Sequence, residues 1–331
     1  MRSSAASDVY KRQVENRDVD FLMSVFTEID RVSHYYWKYM NNNETDEDLR
    51  NAIRSIYTET DKAIGEILSI VDEDTTLLIY SDHGFELGVL DFYVQTYLKQ
   101  VGLLQLKLHS KDYTKKNDWF ECEIDDEVYS VDWSKTIAYM SAPGSYGINI
   151  NLKGRQSNGI VELSEYDTVC RKVIDELAKV MNPISNRPIF REVVKSNSIY
   201  SGKYDIEAPD IILVPDYYGI MVHQKITDGE LFNFKPEQSG MHSRSGIFLL
   251  YGKTIKNYKI MSPRDLRDIA PTILSLFGIK KPLYMEGESV FTRNKLKCVD
   301  VEMVKSFSNN NSYNEDEQDE IKERLKKLGY F

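Results

Sequence analysis

Apolar positions fall into short runs separated by charged or turn-forming residues, and the spacing within each run changes along the chain. Residues 17–29 (RDVDFLMSVFTEI) form a compact apolar run bounded by charge, which predicts a buried strand that delivers Asp30 at its end. Thr45 followed by Asp46, Glu47 and Asp48 is an N-cap signal. Leu49, Ile53, Ile56, Ile64, Ile67, Leu68 and Val71 then recur at helical spacing and predict a long amphipathic helix ending near Val71. A turn at residues 72–74 leads into TTLLIY (75–80), a run that suits a central parallel strand buried on both faces. It ends at Ser81-Asp82-His83-Gly84, where Gly84 permits a positive φ and a sharp turn.

From about Phe85 to Ala208 the pattern loses regularity, which predicts an inserted subdomain. Strand and helix signals return at DIILVP (210–215), GIFLLYG (246–252) and residues 263–277, with Gly278 as a suitable C′ residue. Alternating strands and helices predict an α/β fold, a mostly parallel sheet sandwiched by helices. The resulting division is a leader at 1–13, core at 14–84, insert at 85–208, core again at 209–298, and a polar linker with a terminal helix at 299–331. In that last part, acid (EDEQDE) precedes base (KERLKK), the order that complements a helix dipole.

Composition narrows the function classes. With 41% hydrophobic and 28% charged residues among 331, the bulk is globular rather than disordered or collagen-like. The net charge of −10 repels polyanions, so a nucleic-acid polymer is not an expected partner. No apolar run approaches the ~20 residues of a membrane span. The first sixteen residues carry no secretory signal, so a cytoplasmic location is expected. Cys122, Cys170 and Cys298 are odd in number and far apart, which disfavours a disulfide framework or a thiolate zinc site. A metal here must be held by histidines and carboxylates.

Three of the five histidines lie where strand-to-loop transitions place them at a sheet's carboxyl edge, where open α/β sheets bind ligands. Asp30 and His34 are four apart and can converge on one cation; the same spacing also suits an N-capping Asp and a packed His. Asp82 and His83 follow the most strand-like run, as ligands or as an Asx turn. His242 sits in SGMHSRSGIFLLYG, ahead of another strand. His109 and His223 have no such context. Tyr35, Tyr36 and Trp37 suit a pocket wall or core packing equally. P-loop and dinucleotide fingerprints are absent.

Taken together, FTEIDRVSHYYW, the strand followed by SDHG, and GMHSRSGIFLLYG resemble the alkaline phosphatase superfamily. They are most similar to its type I phosphodiesterase/nucleotide pyrophosphatase group and that group's prokaryotic phosphohydrolase/phosphomutase relatives. DWSKTIAY, INLKGRQSNGIV, SIYSGKYDIEAPDIIL and RDIAPTILSLFGIKKPLYMEGESV add to the likeness, which covers roughly residues 18–331. The resemblance implies two divalent cations. Asp30, His34 and His242 would hold one and Asp82 and His83 the other. Zinc suits such ligands, with manganese as the alternative. It further implies hydrolysis of a small phosphoester through an in-line displacement with a Thr or Ser nucleophile. Lys135, Tyr139, Asn151, Arg155 and Lys203 lie in similar segments and are candidates for contacting the phosphate or leaving group.

Family members carry a first strand ending in a ligand Asp, then the nucleophile, upstream of the D-x-x-x-H segment. Residues 1–13 (MRSSAASDVYKRQ) match neither element, and Ser3 and Ser4 are poorly placed as nucleophiles. The expectation is therefore an N-terminally truncated and inactive chain lacking its first strand or strands, with a noncatalytic metal- or phosphoester-binding member as the alternative. No cysteine lies in the C-x-P-x-R motif of sulfatases, which disfavours that branch.

Overall fold

The computed structural model describes residues 20–40, 46–110, 113, 120–142, 144–202, 204–217, 219–255 and 263–291. Two compact units divide the chain, Met1–Lys253 and Thr254–Phe331. The leader, Thr45, Lys203, Cys298 and the segment read as a terminal linker and helix lie outside the described residues.

The first unit opens with helix α1 (Glu28–Tyr36), continued by a 3-10 turn over Trp37–Tyr39, and then helix α2 (Glu47–Ile70). The predicted strand at 17–29 is not present among the described residues: 20–27 join no ladder, and Asp30 stands in the first turn of α1. Exposure along 20–27 alternates, with Phe21, Met23 and Val25 more than half exposed, so the apolar run has the period of a strand without a sheet to bury it. Glu28 and Asp30 instead favour a helix start, where acidic groups complement the positive end of the dipole. Helix α2 follows its periodicity closely; the Asp46 carboxylate caps it by accepting from the Asp48 amide at 2.8 Å.

Strands β1 (Leu77–Tyr80), β2 (Gly84–Leu87) and β3 (Leu90–Tyr93) lead into helix α3 (Val94–Gln100). The segment that follows contains β4 (Leu106–Leu108), β5 (Glu121–Ile124), β6 (Glu127–Val131), β7 (Ala138–Met140), β8 (Gly147–Ile150), helix α4 (Tyr166–Ala178) and β9 (Phe190–Lys195). Then come β10 (Ile211–Pro215), β11 (Ile220–His223), β12 (Phe232–Asn233), β13 (Gly240–Ser243) and β14 (Phe248–Tyr251). The second unit holds a capped 3-10 turn at Leu266–Asp268 and helix α5 (Ile269–Leu276), with Gly278 at φ 66° as expected of a C′ glycine. No helix among the described residues is long and apolar enough to cross a membrane.

The fold is mixed α/β, built from several small sheets: β1–β14, β7–β8–β10–β9, β11–β3–β12, β13–β2 and β4–β6–β5. A single parallel-sheet sandwich is not seen among the described residues. Among the described strands only β11 and β3 run parallel; the other ladders are antiparallel. TTLLIY does hold a strand, over Leu77–Tyr80, but it is half-buried on both faces and among the described strands pairs with β14 alone. An apolar run specifies burial, not the direction of its neighbour. The largest core joins β3, α3, β7, β8, α4, β10 and β11, so β10 packs within the sheet of the irregular middle segment. Leu90, Phe92, Ile148, Ile150 and Ile211 are fully buried there, each worth about 1.5–3 kcal/mol.

Candidate metal centre

Helix α1 sets the first two donors. Asp30 and His34 are one turn apart on one face, with His34 Nε2 3.5 Å from Asp30 Oδ1. Strand β13 brings His242 to the same point: its Nε2 lies 3.2 Å from Asp30 Oδ1 and 3.0 Å from His34 Nε2. The approach depends on Gly240, where a Cβ would stand 2.2 Å from the Ser33 carbonyl oxygen. Buried Ser239 fastens the same contact. Its hydroxyl donates toward the Tyr35 carbonyl at 3.1 Å and accepts from the Lys38 amide at 3.3 Å.

The loop after β1 supplies the other two residues. Ser81 is held to the start of β14, donating its amide to the Ile247 carbonyl at 3.1 Å and accepting the Ile247 amide on its hydroxyl at 2.8 Å. Gly84 has no positive φ; it opens β2, and its lack of a Cβ admits the Ser245 carbonyl oxygen, which a methyl would meet at 2.0 Å. His83 Nε2 is 3.7 Å from Asp30 Oδ1 and 3.6 Å from Asp82 Oδ1, and its ring stacks on His242 at 3.5 Å. Asp82 is the most exposed of the five, at 77%.

The hydrogen bonds fix the tautomers. His34 Nδ1 donates to the Gly240 carbonyl at 2.9 Å, and His83 Nδ1 donates to the Gly84 carbonyl at 3.0 Å. In each neutral ring Nε2 is then a lone-pair donor, the arrangement in which outer hydrogen bonds orient a metal-binding imidazole. The His242 pKa is lowered, by burial first and then by His83 and His34, against the raising effect of Asp30. A tetrahedral ion with bonds of about 2.0–2.1 Å separates its donors by about 3.3–3.4 Å. The 3.0–3.5 Å separations among Asp30, His34 and His242 match that spacing, so this donor set fits a small divalent cation.

A family model described as type I phosphodiesterase / nucleotide pyrophosphatase matches residues 2–245, well over half of the chain. The chain belongs to that family. No curated protein and no solved structure matched it. All five metal candidates of this phosphodiesterase-family chain fall inside the matched range.

The substrate-contact candidates of the phosphodiesterase-family chain lie around β7 and β8. Lys135 is exposed and 3.4 Å from Asp132. Tyr139 packs edge-on against Phe120 and Trp133. Asn151 is buried and donates to the carbonyls of Trp133, Thr136 and Asn158. Arg155 forks onto Asp210 at 2.8 and 2.6 Å. Elsewhere, His109 bonds Ser130 and stacks on Tyr113, while His223 stands 3.7 Å from buried Asp91. Trp37 stacks on Phe85, a residue that sequence reasoning passed over and that touches three histidine rings.

Proposed function

We propose that this protein is a hydrolase of small phosphoesters, a phosphodiesterase or phosphohydrolase whose Thr or Ser nucleophile is none of the site residues named above, with a metal centre built on Asp30, His34 and His242 and Asp82 and His83 beside them. Family membership supports the hydrolase class. The observation that carries the metal reading is the convergence of two imidazole Nε2 atoms and a carboxylate oxygen within 3.0–3.5 Å, with His34 fixed from behind by a backbone carbonyl.

A divalent cation, zinc first and manganese second, would supply Lewis acidity toward a phosphoryl oxygen. The chain's own residues would do the positioning. Asp30 provides the carboxylate central to the cluster, and burial, then His83 and His34, disfavours the protonated form of His242. His83 and Asp82 would hold a second cation next to the first; exposed Asp82 is placed to turn toward it. Rings from His34, His83 and His242 form one wall of the site.

The test is zinc content of dialysed protein together with hydrolysis of a chromogenic phosphodiester in added Zn²⁺ or Mn²⁺. Bound zinc that is lost in His242→Ala, with hydrolysis lost in parallel, is the expected result. Unchanged zinc content in that variant would sink the ligand assignment, and tight metal without turnover would leave the metal site standing with either a missing nucleophile or a binding role as the reason.

A further inference from the structure

One aromatic side chain touches every histidine of the cluster. The Phe85 ring centroid lies 5.0 Å from that of His34, 5.5 Å from His83 and 5.2 Å from His242, at interplanar angles of 75°, 62° and 76°. Trp37 stacks on the same ring at 5.8 Å and 24°.

The backbone explains the convergence. Phe85 and His242 face each other directly in the β2–β13 ladder, so both side chains leave it on one side. His34 and Trp37 are three residues apart at the end of α1, and they share the helical face that meets this ladder. His83 is two residues before Phe85. Three segments distant in sequence thus bring their rings onto one phenyl group.

Edge-to-face pairs are favoured by the ring quadrupole. Their effect here is orientational. Histidine χ2 is a broad torsion with no sharp staggered wells, so an imidazole needs outside contacts to aim a given nitrogen. Backbone carbonyls take Nδ1 of His34 and His83, and the phenyl group blocks rotation of the rings away from those bonds. For His242 the ring is held between Phe85 and the stacked His83.

We infer that Phe85 is a positioning residue that fixes the ring orientation of His34, His83 and His242 for metal binding. The inference builds on the proposed metal reading, but ring orientation can be measured without metal. The experiment compares the wild-type chain, Phe85→Leu and Phe85→Tyr. Imidazole ¹⁵N–¹H correlation spectra of the metal-free proteins report the tautomers, and Co²⁺ titrations followed by visible absorption report affinity and coordination.

The wild type should show single Nδ1–H tautomers for His34 and His83. Phe85→Leu should show tautomer averaging, a changed Co²⁺ spectrum and roughly 10–100-fold weaker binding, the size typical of losing an outer-shell partner. Phe85→Tyr keeps the ring and should keep the wild-type spectra. Wild-type tautomers and affinity in Phe85→Leu would overturn the inference, as would averaged tautomers in the wild type itself. Equal loss of affinity in both variants, tracking a lowered metal-free melting temperature, would reduce Phe85 to packing and overturn it too. A wild type with locked tautomers that binds no Co²⁺ would overturn the proposed function and leave only the ring-orienting part of the role of Phe85 standing.

Discussion

The Nδ1–H of His34 donates to the carbonyl of Gly240 at 2.9 Å, tying α1 to β13 across 206 residues of sequence. That bond sets the imidazole's tautomer and its direction at once. It also requires the two backbones to approach so closely that position 240 has no room for a side chain.

Gly240→Ala should therefore disturb both the fold and the site. The added methyl would meet the Ser33 carbonyl oxygen at 2.2 Å, backbone against backbone, so α1 or β13 must move. Overpacking of this kind costs about 1–3 kcal/mol. Loss of the carbonyl behind His34 should weaken metal binding by about 10–100-fold. Urea unfolding and a calorimetric zinc titration check the two parts; a variant with wild-type midpoint and affinity would show that the contact is loose.

His242→Ala and Asp82→Ala should separate the two halves of the cluster. His242 lies within 3.2 Å of both Asp30 and His34, whereas Asp82 reaches the group only through His83 at 3.6 Å. Removing His242 should abolish retention of tightly bound zinc after dialysis. Removing Asp82 should leave that zinc in place and affect only a weaker second equivalent. Equal loss in both variants would mean that the donors act as one set.

Much of this was legible from residue spacing. Asp30 and His34, four apart, meet because 30–34 form a helical turn whatever precedes it, so the pair survives the misreading of 17–29. Helix α2 was legible because a cap and a 3.6-residue period agree over 24 residues. Strand direction was not: TTLLIY announces an apolar strand, yet nothing in it states that its partner, GIFLLYG, runs antiparallel. Phe85 was invisible for a related reason. Its role rests on cross-strand register with His242, which a local pattern does not contain.

Arg155 is expected to matter for stability rather than for metal binding. Asp210, 3% exposed, accepts from the Ile150 amide, the Arg155 guanidinium and the Tyr166 hydroxyl, and these bonds link β8, β10 and α4. Burial and this carboxylate also push the Tyr166 hydroxyl pKa far up. Arg155→Met strips the cation from a buried carboxylate, a change that costs about 3 kcal/mol. Denaturant unfolding should show that loss while zinc affinity holds; a stable variant with impaired substrate KM would instead favour a substrate contact.

The pH dependence follows from His242. Its folded-state pKa lies below the ordinary 6.5, because burial and the neighbouring His83 and His34 disfavour the imidazolium. Between the folded value and 6.5 the unfolded chain holds more protons, so stability rises with pH across that window. The contribution is complete above 6.5 and is lost as pH falls through the folded value. Metal-free wild type should therefore lose more Tm than His242→Asn on going from about pH 8 to about pH 5. Parallel Tm profiles would remove His242 as the source.

Strand β14 carries the last prediction. It pairs with β1 alone among the described strands, and its outward side chains are apolar: Leu249 is 49% and Tyr251 61% exposed, with Ile247 just before them at 63%. Apolar side chains in a row on a short ladder invite pairing with another chain, which natural sheets oppose with lysine at such positions. Leu249→Lys replaces an exposed side chain, so stability should shift by no more than about 0.5 kcal/mol. Self-association should fall, because each new contact would then bury an ammonium group. Sedimentation velocity over a concentration series reads the difference directly: the wild type should show concentration-dependent association and the variant a single slower boundary. A wild type that stays monomeric throughout would show that this face does not promote self-association.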